Sequence, residues 1–117
     1  MQSIGRIVKM VIESLRSRIK KRLERYIELD VNGIRSCVLK ILLNVKKFTV
    51  DKLHRTLSTK FKLSRTAVAS MVGYIHSKLG ILRAHKDSYK APIVYFLKED
   101  YADLIRGALK KAPPTPS

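Results

Sequence analysis

The stretch from residue 48 to residue 97 reads FTVDKLHRTLSTKFKLSRTAVASMVGYIHSKLGILRAHKDSYKAPIVYFL and carries the clearest structural pattern of the chain. Thr49 and Ser64 each precede a short run with apolar residues at helical spacing, so each is a candidate N-cap. The second run stops at Gly80, and glycine commonly ends helices. Beyond it the apolar period becomes that of strands on either side of the polar turn 87–91. The predicted order is helix, tight turn, helix, hairpin.

This order is typical of a winged helix-turn-helix. In that fold the first helix braces the second, the second enters the major groove, and the hairpin reaches the adjacent backbone. We predict the recognition helix over residues 64–79 and the wing over 81–97, with strands at 81–86 and 92–97. The recognition helix is expected to bury an apolar stripe and to show small side chains on its other face. That face carries Thr66, Ala69, Ser70, Gly73 and Ser77.

The motif suggests which residues contact a duplex. Arg65 is the candidate for a base contact, because a guanidinium can bond guanine O6 and N7 together. Thr66 and Ser70 suit either bases or phosphates, and the lysines of the turn and the wing suit phosphates. The full set of predicted DNA-binding residues is Lys60, Lys62, Arg65, Thr66, Ser70, Gly73, Ser77, Arg83, His85, Lys86 and Lys90.

Helical patterns flank this unit on both sides. Apolar residues at three- and four-residue steps predict a helix over residues 4–29 and another over 33–47. Glu99 and Asp100 are expected to open a last helix, since acidic residues favour the first turn. We therefore predict a mainly α fold with a small β-hairpin wing. Its parts are a basic amphipathic helix for dimerisation or packing in residues 1–32, a winged-helix domain in 33–110 and a disordered tail in 111–117.

The charge of the chain indicates a polyanionic partner. Its 117 residues contain 25 Lys and Arg against 9 Asp and Glu, a formal net charge of +16, and 45% are hydrophobic, as in globular proteins. Residues 60–90 hold seven basic side chains and only Asp87 as an acid, whereas charges nearly balance after residue 91. Such a concentration favours nucleic acid. The alternative is a basic surface that serves solubility alone.

Little in the sequence suggests chemistry at a metal or a catalytic centre. His54, His76 and His85 share no metal-binding spacing, and Cys37 is the only cysteine. Phosphate-cradling glycine loops, nucleophile elbows and carboxylate pairs near a histidine are absent from the sequence. We expect no enzyme activity, no cofactor and no small-molecule ligand. The lone cysteine, expected to be a buried thiol, and the lack of a signal peptide or membrane span predict a cytoplasmic protein.

The N-terminal helix has two interpretations. Its apolar residues fit a coiled-coil stripe that Arg22 interrupts, which favours packing partly on its own domain and partly on a second copy, in a homodimer. A basic amphipathic helix also suits an anionic membrane surface. We disfavour a membrane partner because the segment contains no Trp or Phe. The stripe consists of Val8, Ile12, Leu15, Ile19 and Tyr26.

Parts of the chain resemble known proteins. The core of residues 48–97 is similar to bacterial and archaeal winged-helix transcription regulators. The segments that carry this likeness are the strand Phe48-Thr49-Val50, the Leu53/Leu57 helix, Leu63-Ser64-Arg65-Thr66-Ala67-Val68, Lys78-Leu79-Gly80-Ile81-Leu82 and the tyrosine-bearing second wing strand. More narrowly, the chain from about residue 14 to 109 resembles a small uncharacterised archaeal family. That resemblance rests on Arg25-Tyr26-Ile27-Glu28-Leu29-Asp30, Ala69-Ser70-Met71-Val72-Gly73 and Leu79-Gly80-Ile81-Leu82-Arg83. Gly73 departs from the regulator pattern.

The sequence therefore predicts non-enzymatic binding of nucleic acid, with double-stranded DNA ahead of RNA. The expected role is that of a transcription regulator or a chromosome-associated protein. One alternative is an RNA- or ribosome-associated winged helix, because basic charge does not separate the two nucleic acids. Another is a protein-interaction adaptor, because a fold does not fix a function.

Overall fold

A computed structural model describes residues 4–111 and shows a mainly helical chain with one small antiparallel sheet. The prediction of an α-dominated fold with a small β element is confirmed. The elements in chain order are α1 (Ile4–Glu28), α2 (Ile34–Val45), β1 (Lys47–Phe48), α3 (Val50–Leu57), α4 (Arg65–Tyr74) with a π-helical turn (Ile75–Leu79), β2 (Leu82–His85), β3 (Val94–Leu97), a 3-10 turn (Glu99–Tyr101) and α5 (Ala102–Lys111).

Both predicted N-caps are present at the starts of their helices. The Thr49 hydroxyl accepts a hydrogen bond from the Lys52 backbone N–H at 3.2 Å, and α3 begins one residue later. The Ser64 hydroxyl accepts one from the Ala67 N–H at 3.1 Å and opens α4. Each bond satisfies a backbone donor that the first helical turn leaves without a partner. Local sequence thus determines where these two helices start.

The start of α2 depends on a cap that the sequence pattern did not indicate. The Asp30 carboxylate accepts from the backbone N–H groups of Arg35 and Ser36, at 3.2 and 3.1 Å. Gly33 makes the intervening turn with φ 78°, a value that glycine adopts without strain. The helix is shorter than the predicted 33–47, because Lys46 takes φ 62° and the chain turns there into β1.

The sheet has three strands, the two of the predicted hairpin and a short one before α3. β3 is central and pairs antiparallel with both neighbours, in the order β1-β3-β2. Phe48 lies opposite Tyr95 in one pair, and Leu82 lies opposite Leu97 in the other. Of the predicted strand 48–50 only Phe48 belongs to the sheet, since Thr49, although extended, caps a helix and the next residue is helical. The short strand closes one edge of β3 with main-chain hydrogen bonds.

Three predicted boundaries differ from the structure. The helix predicted over residues 64–79 does not remain α-helical to its end, because its last five residues form a π-helical turn that ends at Gly80, φ 72°. The ladder of β2 and β3 starts at the pair His85 and Val94, after Pro92, which has no N–H to donate. The last helix opens with a 3-10 turn and runs to Lys111. Residues 112–117, where the disordered tail is predicted, lie outside the described residues.

One apolar core joins all five helices and the sheet. Its completely buried side chains come from α1, α2, α3, α4 with its π-helical turn, the entry to β2, and α5. Cys37 is half-buried rather than buried, and Val45 is exposed, so the buried face of α2 is narrower than its apolar pattern suggested. The largest of these side chains are Leu23, Leu39, Leu42, Leu53, Leu57, Ile75, Leu79, Ile81 and Ile105.

The C-terminal half of α1 packs on α5. Ile19, Leu23 and Ile27 are buried there, while every described residue before Arg16 is exposed. At that point the Arg16 guanidinium donates to the Asp103 carboxylate and to the main-chain carbonyl of Asp100. Among residues 4–111 there is no helix both long and apolar enough to cross a bilayer.

Candidate nucleic-acid interface

The outer face of α4 carries a line of small side chains. Thr66, Ser70, Gly73 and Ser77 are all exposed and follow one another at helical spacing. On the opposite side Val68, Val72, Ile75 and Leu79 are buried in the core. The backbone of the helix is therefore accessible along a strip that no long side chain covers.

Ser77, the last small residue of this line, lies in the π-helical turn and hydrogen-bonds within the helix. The Ser77 hydroxyl donates to the Gly73 carbonyl at 2.7 Å, so its proton is committed within the helix. A partner then meets the Ser77 oxygen as an acceptor. A Cβ placed on Gly73 would meet no atom within 4 Å, so packing inside the subunit does not require glycine there.

Arg65, at the start of α4, is not free. Its Nε donates to the Asp51 carboxylate at the start of α3, which links the first turns of the two helices. The hydrogen bond and charge of Arg65 hold the pKa of Asp51 below its ordinary value. Both side chains remain more than half exposed. Because this bond engages Nε, a two-bond contact with guanine must use the Nη groups of Arg65.

A histidine fixes the turn between α3 and α4. The His54 Nε2 lies 2.7 Å from the carbonyl oxygen of Leu63, at hydrogen-bonding distance. The neighbouring Lys62 is exposed immediately before the cap of α4. His54 therefore has a structural partner, and Lys62 lies where its charge meets whatever approaches the start of α4.

Three of the predicted wing residues lie together at the loop between β2 and β3. His85, Lys86 and Lys90 are all exposed. His85 Nε2 lies 2.8 Å from the Asp87 carboxylate, an ion pair whenever the histidine is protonated. The Lys86 Nζ lies 5.7 Å from the ring centroid of Tyr89, which is 91% exposed. The tip thus presents cations beside an accessible aromatic ring.

Arg83 lies in β2, two residues before His85. It lies opposite Phe96 in the ladder, whereas the neighbouring pair, Leu82 and Leu97, is buried on the core side. Because strand residues alternate between faces, Arg83 occupies the outer face of the sheet. It lines a groove together with His85, Lys98, Glu99 and Asp100.

Lys60 lies apart from α4. It lines a cleft of about 510 Å³ formed mainly by α2, together with Lys40 and Arg106, and no lining residue comes from α4. Lys60 therefore lies on a different surface from the outer face of α4. The remaining predicted residues outside β2 and its loop are exposed on α4 or immediately before it: Lys62, Arg65, Thr66, Ser70, Gly73 and Ser77.

A basic aromatic surface between α1 and α4 was not predicted from the sequence. Tyr74 stacks on Tyr26 with ring centroids 5.6 Å apart, and the Arg35 guanidinium lies 4.4 Å from the Tyr26 centroid. Tyr74 remains 47% exposed. The rings and cations line a pocket of about 290 Å³. Its lining residues are Lys21, Arg22, Arg25, Tyr26, Leu29, Arg35 and Tyr74.

No sequence signal could identify this pocket, because its two stacked rings, Tyr26 and Tyr74, are more than forty residues apart in the chain. None of its lining residues is acidic. Tyr74 follows Gly73 directly, so the pocket borders the small-residue face of α4. Together these surfaces can bind phosphates through cations and stack a planar group on the exposed part of Tyr74. Within residues 4–111 no group of three or more metal-ligating side chains comes together.

Comparison with known proteins places the chain in a family. Residues 23–105 match the family described as "Protein of unknown function (DUF2551)". An uncharacterized protein of Archaeoglobus fulgidus is 39% identical over 89 residues, which cover 75% of this chain and 89% of that protein. No solved structure matches the chain. The expected likeness to a small uncharacterised archaeal family is confirmed, and the chain belongs to the DUF2551 family.

Proposed function

We propose that the chain is a winged-helix protein that binds double-stranded DNA without catalysing a reaction, as a transcription regulator or a chromosome-associated protein. The observation that carries the proposal is the outer face of α4. Four small residues leave its backbone accessible, and cations stand at its start, at the wing and along α1. A helix of this kind can lie deep in a major groove while its neighbours contact phosphates.

The order of elements supports the winged-helix assignment. A capped helix, a turn held by His54, a second capped helix and a β-hairpin follow one another, and a short strand before the first helix pairs with the hairpin. In such a domain the second helix and the hairpin approach one side of the duplex. α4 and the loop between β2 and β3 are the corresponding parts of this chain.

A second candidate is an RNA-binding protein, favoured by the pocket around Tyr74. Unpaired bases stack on exposed aromatic rings, and cations beside the ring hold the phosphates. Tyr74 is 47% exposed and shares its pocket with Lys21, Arg22 and Arg25. Duplex DNA meets the same cations through its backbone but does not use the ring.

Titration of labelled nucleic acids separates these functions. Duplex DNA, duplex RNA and single strands of matched length are compared by fluorescence anisotropy at several salt concentrations. The DNA proposal expects the tightest binding to duplex DNA and a linear fall of log affinity with log salt, by about 0.9 for each phosphate contacted. Preference for RNA or single strands supports the second candidate. Affinity independent of salt contradicts both and favours a protein-interaction adaptor.

Two substitutions probe how the interface reads DNA. Arg65→Ala is expected to weaken binding to a preferred site by about 1–3 kcal/mol and to relax the sequence preference, as for a base contact. Lys86→Ala is expected to weaken all sequences alike, because a phosphate contact carries no sequence information. Selection of bound sequences from a random duplex pool supplies the preferred site. If both variants lose affinity without any change of preference, Arg65 contacts a phosphate only.

A further inference from the structure

The first twelve described residues of α1 extend beyond the rest of the chain. All residues from 4 to 15 are exposed, and the first buried side chain of the helix is Ile19. At 1.5 Å per residue this overhang is about 18 Å long. It contributes to the longest dimension of the molecule, 58 Å against 20 Å for the shortest.

The overhang displays an unusually apolar stripe. Six aliphatic residues at steps of three and one fall within an arc of about 140° of the helix. Arg6, Lys9 and Glu13 lie on the opposite side of the helix. A contiguous patch of exposed aliphatic side chains on a small protein marks an interaction surface. The stripe and its exposures are Ile4 80%, Ile7 53%, Val8 49%, Val11 62%, Ile12 51% and Leu15 44%.

We propose that a second copy of this chain covers the stripe, in an antiparallel pair of α1 helices centred between Lys9 and Met10. A two-fold interface requires a patch that matches itself. Reversal about that centre places Ile7 opposite Ile12 of the partner subunit and Val8 opposite Val11 of the partner subunit. It places Ile4 opposite Leu15 of the partner subunit. The stripe therefore maps onto itself completely. This proposal does not depend on the proposed nucleic-acid binding.

The positions of two arginines favour an antiparallel pair over a parallel one. Arg18 and Arg22 follow the stripe at the same angular position of the helix, so a parallel pair in register would bring each against its own copy. In the antiparallel pair both arginines fall outside the overlap. Arg22 then keeps its contact with its own subunit, where the guanidinium donates to the Lys78 carbonyl at 3.3 Å.

The area of the stripe suits a second copy. A standard interface buries about 800 Å² per partner. The six stripe residues provide several hundred Å² of apolar surface, the same order. A membrane is the less suitable occupant, because residues 4–15 contain no aromatic anchor.

The oligomeric state of the full chain tests the proposal. Sedimentation equilibrium in the absence of nucleic acid is expected to give twice the chain mass of 13.4 kDa. Val11→Glu buries a charge at the centre of the pair and is expected to give a monomer with unchanged helical circular dichroism. Lys9→Glu introduces the same side chain on the far side of α1 and is expected to remain dimeric. A monomeric parent protein, or equal loss of dimer in both variants, overturns the proposal.

Cysteine pairs test the orientation independently. In a Cys37→Ser background, Ile4→Cys and Leu15→Cys chains are mixed under reducing conditions and then oxidised. The antiparallel pair expects a disulfide between the two different chains and little within either chain type alone. Rapid cross-linking of Ile4→Cys with itself overturns the antiparallel arrangement. A protein that stays monomeric in solution but sediments with vesicles of anionic phospholipid assigns the stripe to a membrane and overturns the dimer.

Discussion

Gly73 is the residue at which the structure and the local helix propensity disagree most clearly. It lies inside α4, where glycine costs about 1 kcal/mol relative to alanine. Yet a Cβ at this position would meet nothing within 4 Å. Packing within the subunit therefore offers no reason for glycine. Close approach of a partner to the helix backbone gives one, and it agrees with the small side chains on either side of it.

The substitution Gly73→Ala tests this reason. We expect the free energy of unfolding to rise by about 1 kcal/mol, because alanine favours the helix. Affinity for DNA is expected to fall, because the added methyl group stands between the helix and the groove. Gly107→Ala is the matched control: it is helical and exposed in α5 and equally free of contacts, so it should stabilise without loss of affinity. Urea unfolding measures the stability, and fluorescence anisotropy measures the affinity for DNA. Unchanged DNA binding by Gly73→Ala would contradict a close approach of DNA to the backbone at this residue.

Tyr26 provides a pH-dependent test of the packing between α1 and α4. Burial raises the pKa of Tyr26 to about 12, and the charge of Arg35 opposes that rise. The unfolded chain has an ordinary tyrosine pKa of about 10. The neutral phenol therefore contributes stability that is fully present below pH 10 and is lost as the pH rises towards 12.

Tyr26→Phe should lack this alkaline loss while keeping the ring stack with Tyr74. The difference in unfolding free energy between parent and variant is expected to change by about 2–3 kcal/mol between pH 8 and pH 12, from two pKa units. Tyr89→Phe, at an exposed ring, is expected to follow the parent protein at every pH. Urea unfolding at a series of pH values provides the measurement. Parallel curves for parent and Tyr26→Phe would contradict the burial of the phenol.

At the scale of the elements, the two halves of α1 have different surroundings. Its second half packs on α5 and brings Lys21 and Arg25 beside Tyr74 of α4. Its first half is exposed throughout and carries the apolar stripe. The change occurs near Arg16, whose contacts with the start of α5 fix the exit of the helix from the domain.

The charges on the second half of α1 should contribute to DNA affinity. The double substitution Lys21→Glu and Arg25→Glu is expected to weaken binding to every sequence and to lower the salt slope by about two phosphate contacts, each near 0.9. The control is Lys40→Glu with Arg106→Glu, the same change of charge around the cleft that Lys60 lines. Anisotropy at several salt concentrations compares the two. Equal losses would show a general effect of net charge rather than an extended interface.

For the whole molecule, the arrangement of carboxylates matters as much as their number. Glu24 pairs with Lys111, Glu99 with Lys46 and Asp51 with Arg65, while Asp30 caps α2. Exposed pairs of this kind contribute little to stability. These contacts do engage most of the acidic side chains within the subunit. Few carboxylates therefore remain to neutralise the lysines and arginines around α4.

The antiparallel α1 pair and the DNA proposal together predict the form of the binding site. Two copies related by a two-fold axis present two recognition helices, which match inverted half-sites. Val11→Glu is therefore expected to weaken binding to a duplex with two inverted half-sites while leaving affinity for a single half-site unchanged. Anisotropy with both duplexes measures the effect. Equal affinity of parent and variant for the double site would show that the two copies bind independently.

Much of the fold follows from short-range patterns. Thr49 and Ser64 begin their helices because each hydroxyl reaches a donor three residues away, and Gly80 ends the second because glycine tolerates its positive φ. The buried stripe and small outer face of α4 follow from helical spacing. These features need no knowledge of distant residues, so the sequence by itself determined them.

Only the tertiary structure decided the features that join distant parts of the chain. The pairing of β1 with β3, the bond between Asp51 and Arg65, and the pocket around Tyr74 each form from segments that the sequence separates. Periodicity reports the neighbours of a residue along one element, whereas packing between elements determines its neighbours across space.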